Sequence, residues 1–169
     1  MVANTTSNGN TDILLARFTF DGDLADYKIL TVDQTSSANE YANSVTELHT
    51  GGFIVTGYTD FVTNPNDKSS MLHLRTDNSL QQLYVNPDHW YETTEQGTTN
   101  IGVKTFQTAM DTSYIFGYTN AYSANHVSFW TFGLTLNGYL PASDETAEFV
   151  NPTADEIVTN TIKAPQGYL

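Results

Sequence analysis

Apolar side chains fall at every second position, or in short unbroken runs, through most of this chain, and turn-forming dipeptides separate the runs. A period of two marks strands, and no long window carries the 3.6-residue period of an amphipathic helix. Residues 13–20 and 24–30 read as two strands joined at Asp21-Gly22. An Asp-Gly pair between two such runs predicts a hairpin with a type I′ turn, which needs φ > 0 at both central residues. The same unit returns over residues 71–85, around Asp77-Asn78, and over residues 129–140, around Asn137-Gly138. A second kind of hairpin lies between these. It joins residues 43–49 to 53–59 through Thr50-Gly51-Gly52, 101–107 to 114–119 across 108–111, and 156–162 to 168–169 across 164–167. Segments 33–41, 60–70, 86–100, 120–125 and 143–155 are rich in Ser, Thr, Asn, Asp and Pro and read as loops.

These hairpins belong to one repeat. Gly57-Tyr58-Thr59 recurs 60 residues later as Gly117-Tyr118-Thr119, and Gly167-Tyr168-Leu169 starts a third copy. A fixed period of this size means one supersecondary unit used several times. With the four strands of a unit named a to d, the chain order is c–d, a–b–c–d, a–b–c–d, a–b. The expected organisation is a single repeat-built domain: a c–d hairpin at 12–30, four-stranded units at 41–85 and 99–142, and an a–b hairpin at 156–169. The two terminal hairpins add up to one further unit. Residues 1–6 weakly match the strand that stops at Leu169.

A length of 169 residues suits one domain with a real core, and 39% hydrophobic residues argue against disorder. Ten Tyr and nine Phe, with abundant Thr and Val, fit pleated half-buried surfaces. The net charge of −13, from 19 acidic and six basic residues, excludes a nucleic-acid partner, because phosphate neutralisation needs a Lys/Arg face. It also disfavours an anionic membrane surface. No apolar run is long enough to insert into a bilayer as a helix. The chain has no Cys, so disulfides and thiolate metal sites are absent. Residues 1–8 have neither a basic nor an apolar stretch, so no signal peptide is expected in them.

At Gly51-Gly52-Phe53-Ile54-Val55-Thr56-Gly57-Tyr58-Thr59 the sequence resembles the repeats of β-propeller-like bacterial surface proteins common among Bacteroidetes lipoproteins. Thr11-Asp12-Ile13-Leu14-Leu15-Ala16-Arg17-Phe18, with Asp21-Gly22-Asp23-Leu24, resembles the delta-60 repeat, a related propeller-type unit. Gly133 stands where Arg17 would repeat, and Asn78-Ser79 replaces Asp-Gly. The resemblance implies an all-β fold of four-stranded antiparallel blades, an extracellular or bacterial cell-surface location, and no shared catalytic residues. Propellers close with about 4–8 blades, and three blade-equivalents fall short. The chain is then part of a longer propeller, or a homo-oligomer of two copies completes a six-bladed ring. A pseudo-threefold β-trefoil or β-prism is the alternative that closes without a partner.

Candidate chemistry is sparse. Asp88, His89, Trp90 and Tyr91 form the most unusual loop, where an aromatic pair beside Asp and His suits stacking on a sugar. Asp60, Asn64, Asn66 and Asp67 cluster oxygen ligands of the kind Ca²⁺ takes, without EF-hand spacing. The four His do not stand at metal-ligand spacing, and Gly-x-Ser-x-Gly is missing. No other cofactor is expected. The expected function is a non-catalytic binding and assembly module with a protein or glycan partner. A lectin-like carbohydrate-binding domain and a fragment of a larger propeller enzyme acting on glycans are the alternatives.

Overall fold

The computed structural model describes residues 1–7, 9–31, 38–62, 66–83, 90–91, 98–108, 113–120 and 128–134. Every regular element among them is a β-strand, and every strand pairing is antiparallel. The strands are β1 (Val2–Ser7), β2 (Asn10–Phe18), β3 (Leu24–Leu30), β4 (Glu40–Glu47), β5 (Phe53–Thr59), β6 (Ser70–Thr76), β7 (Trp90–Tyr91), β8 (Asn100–Gln107), β9 (Ser113–Thr119) and β10 (Ser128–Leu134). They form three small meanders in chain order: β1-β2-β3, β4-β5-β6-β7 and β8-β9-β10.

The second and third sheets share one register. Tyr41 faces Tyr58 and Ala42 faces Gly57; 60 residues on, Ile101 faces Tyr118 and Gly102 faces Gly117. Both ladders then shift by one residue, at Asn43 and at Val103, which is the extra residue of a β-bulge in strand a. The bulge explains the glycine of the Gly-Tyr-Thr triplet. A Cβ on Gly57 would fall onto Tyr41 O, and one on Gly117 onto Ile101 O. The side chain is forbidden by a backbone neighbour, at the same place in both units.

The turns are also shared. Thr19 N donates to Asp23 O (2.8 Å) and Gly22 N to Thr19 O (3.1 Å). The same pair of bonds links Leu48, Gly51 and Gly52, and links Asp77, Leu80 and Gln81. Only the fourth residue of each turn, or that residue and the next, has positive φ: Gly22 at 90°, Gly51 and Gly52 at 90° and 85°, Leu80 at 59°. The type I′ expectation at Asp21-Gly22 is therefore corrected. Asp21 keeps negative φ, and the loop is the longer kind in which a single left-handed residue closes a type I turn.

Three further expectations change. The d strand placed at 80–85 reduces, among the described residues, to a single bridge between Gln82 and Thr76. Trp90 and Tyr91, read as loop, add an edge strand to β6 opposite Leu72 and Met71. Residues 2–7 form β1, which lies beside β2 as strand b lies beside strand c elsewhere. The a–b hairpin at 156–169 lies outside the described residues, as does the end of the unit placed at 99–142.

The sheets stack in chain order, and the second uses opposite faces for its two neighbours. Ile13, Leu15 and Leu30 of the first sheet meet Val55, Leu72 and Leu74 of the second in one buried cluster, closed by Leu80. Burying each such side chain contributes about 1.5–3 kcal/mol. From the opposite face of the second sheet, Thr56 and Met71 reach the third, against the bare backbone of Gly102 and Gly117. Thr56 and Thr105 hydroxyls bond across this junction, Thr46 donates to Thr105 O, and Asn43 donates to Gly102 O at 2.7 Å.

Candidate functional site

The predicted Ca²⁺ ligands are drawn to different junctions. Asp60 follows β5 and clamps the residue before β4: Asn39 N donates to its Oδ1 and Asn39 Nδ2 to its Oδ2, each at 2.6 Å. Asn39 Oδ1 in turn accepts from Thr11 N, tying the first sheet to the second. The repeat reproduces this clamp. Thr99 N donates to Asn120 Oδ1 at 2.7 Å, and Asn120 N to Thr99 O, as Asp60 N donates to Asn39 O.

Asp67 belongs to the next junction. It is buried, and its Oδ1 accepts from Thr98 N at 3.0 Å. Asn100, fully buried, donates from Nδ2 to Ser69 O and to Thr98 Oγ1. Asn66 is exposed in a turn, and Asn64 lies outside the described residues. Asp67 thus fastens the second sheet to the third, while Asp60 holds Asn39, the residue that reaches the first. No group of three or more His, Cys, Asp or Glu that could hold a metal is present among the described residues.

Of the residues singled out for stacking on a sugar, Asp88 and His89 lie outside the described residues. Trp90 and Tyr91 are edge-strand residues of the second sheet.

An exposed aromatic face lies on the third sheet, and local sequence patterns did not single it out. The third sheet has a buried face, carrying Ser113, Ile115 and Gly117, turned toward the second sheet. Its other face carries Tyr114, Phe116 and Tyr118, with Phe106 from β8 and Phe129 from β10. Phe106 stacks on Tyr114 and on Phe116, with centroids 5.6 and 5.3 Å apart, and is still 44% exposed. Phe129 is 72% exposed. At the opposite end of the stack, the outer face of the first sheet carries Leu14, Tyr27 and Ile29, the last two 55% and 48% exposed. Alternation in 114–118 was visible in the sequence, but alternation does not say which face is left uncovered.

No protein-family model and no curated protein matches this chain.

Tyr58 faces Tyr41 across the β4–β5 ladder. It stacks on Tyr41 with centroids 4.7 Å apart. Burial pushes the Tyr58 phenol above its ordinary value, and the nearby Tyr41 and Tyr118 phenols push it the same way. The fold thus favours the neutral phenol, and the unfolded chain loses that proton first. Stability is full below the ordinary phenol value of about 10 and falls as pH rises through the folded value. Urea unfolding across the alkaline range should show this loss, and Tyr58→Phe should remove part of it. An unchanged alkaline slope in Tyr58→Phe counts against the assignment.

Proposed function

We propose that this chain is a non-catalytic binding and assembly module of the β-propeller type, working outside a bacterial cell. The observation that supports this reading is the repeated unit. The second and third sheets share their register, their bulge, their crowded glycine and their clamp at equivalent positions, and the first and second present the same face to the sheet that follows. Propellers are built by repeating one small antiparallel sheet around an axis, which leaves only short, protected strand edges. The described carboxylates of the predicted ligand set serve structural clamps, while the broad exposed surfaces are aromatic and aliphatic. Exposed apolar surfaces of this kind suit docking rather than bond-breaking chemistry. The charge of −13 keeps such surfaces soluble.

The location is tested in the cell that makes the protein. Protease treatment of intact cells should degrade the full-length product, detected with an antibody to this domain. Complete protection, with the protein found in the cytosolic fraction, sinks the exported reading.

A further inference from the structure

We infer that the two outward sheet faces are a complementary pair, by which one copy of this chain docks head to tail on a second. The inference rests on the repeat-built reading above and names the partner that reading leaves open.

The docking mode is already used twice inside the chain. The front of the first sheet, carrying Ile13 and Leu15, packs on the back of the second, carrying Val55, Leu72 and Leu74. The front of the second, carrying Thr56 and Met71, packs on the back of the third, carrying Gly102 and Gly117. Among the described residues, two halves of this recurring contact are left over: the front of the third sheet and the back of the first.

Both leftovers carry the chemistry of the buried contacts. Phe129 occupies the place in its sheet that Met71 occupies in the second: each lies opposite the tyrosine of the Gly-Tyr-Thr triplet. Met71 is fully buried by the next sheet, whereas Phe129 is 72% exposed. Phe116 and Tyr118 likewise stand where Thr56 and Tyr58 stand. On the back of the first sheet, Leu14 stands where the second carries Leu72, 58 residues on, with Tyr27 and Ile29 exposed beside it. These faces are continuous in kind with an interface the chain makes for itself, so a second copy fits them better than an unrelated partner.

A head-to-tail contact of this type closes into a ring when its rotation allows and otherwise grows. Two copies bring six described sheets, within the 4–8 that close a propeller. The expected species is a closed dimer with two equivalent junctions. The charge of −13 on each copy opposes association, so the dimer strengthens as salt screens that repulsion.

Sedimentation and light scattering on the full chain, from micromolar to millimolar and from low to physiological salt, test this. The wild type should double its mass, more readily at higher salt. Phe129→Lys blocks the front face and Ile29→Lys the back face. Both sites are exposed, and an added lysine reduces net charge, so loss of the dimer reports the face and not repulsion. Each variant alone should be monomeric with unchanged circular dichroism. Mixed together, they should regain a weaker dimer, because one intact front meets one intact back. A two-fold contact between like faces would show no such rescue.

A wild type that stays monomeric throughout overturns the inference and leaves the exported-module reading standing. So does a dimer that survives either substitution, or a mixture that fails to associate. If either variant loses its fold, Phe129→Ser and Ile29→Ser replace the pair and the same outcomes apply.

Discussion

Gly57→Ala should destabilise the protein by about 3 kcal/mol, near the upper end of what overpacking a core costs. The new methyl has one direction to point, and Tyr41 O already occupies it, with Ala42 Cα beside it. The obstacle is the backbone of a bulged strand, held on one side by the β4–β5 ladder and on the other by the Asn39–Asp60 clamp. It cannot swing aside as a side chain would. Gly117→Ala meets Ile101 O in the same way and should behave alike. Gly22→Ala is the contrast. Its Cβ meets nothing within 4 Å, so only the positive φ of 90° opposes it, at about 1–2 kcal/mol. Urea midpoints of the three variants rank these costs. Equal midpoints for Gly57→Ala and Gly22→Ala would refute the crowding argument, and failure of Gly57→Ala to fold at all agrees with it.

Leu80→Ala should cost about 2–4 kcal/mol, within the range for emptying a leucine site in a packed core. Leu80 is 1% exposed and closes the cluster between the first and second sheets. It is also strained: its φ of 59° is the left-handed region, where the equivalent turn residues are Gly22 and Gly51. The turn is imposed on it by neighbours. Asp77 Oδ1 accepts from Ser79 N and Gln81 N, both at 2.8 Å, and Leu80 N is held by Asp77 O. Burial therefore outweighs a conformational penalty of about 1–2 kcal/mol. Leu80→Gly loses one more methyl than Leu80→Ala but sheds that penalty. The glycine variant should match the alanine variant or exceed it by up to about 1 kcal/mol, unlike an ordinary strand position, where glycine is worse by about 0.5–1 kcal/mol. Chemical denaturation of both decides this. A glycine variant far weaker than the alanine variant would mean that the left-handed turn costs little here.

Much of the fold was legible because strands and hairpins are local. The alternation in 53–59 and 114–119 and the turn at Gly51-Gly52 place β5, β9 and their partners. The 60-residue spacing of the triplets is the spacing of the registers. Asn8-Gly9, a strong hairpin dipeptide, stands in the sequence between β1 and β2, but residues 1–7 are mostly polar and lack the apolar alternation that marks a strand. Trp90-Tyr91 was unreadable as a strand, since two residues carry no period. The Ca²⁺ cluster illustrates a different failure. Asp60 and Asp67 are near each other along the chain, yet each is pulled to the junction whose backbone N–H groups need an acceptor.

The sequence by itself determined the strand class, the repeat and the places where the chain turns, because these follow from side-chain period and from which residues tolerate a left-handed backbone. Only the tertiary structure decided which face of each sheet is covered. A strand's alternation is the same whichever way it faces, and the choice is made by neighbours dozens of residues away: Leu72 and Leu74 against Ile13, Met71 against Gly117. It also decided that Phe129 stands exposed at the position where Met71 is buried, because the next sheet is present in one case and, among the described residues, absent in the other.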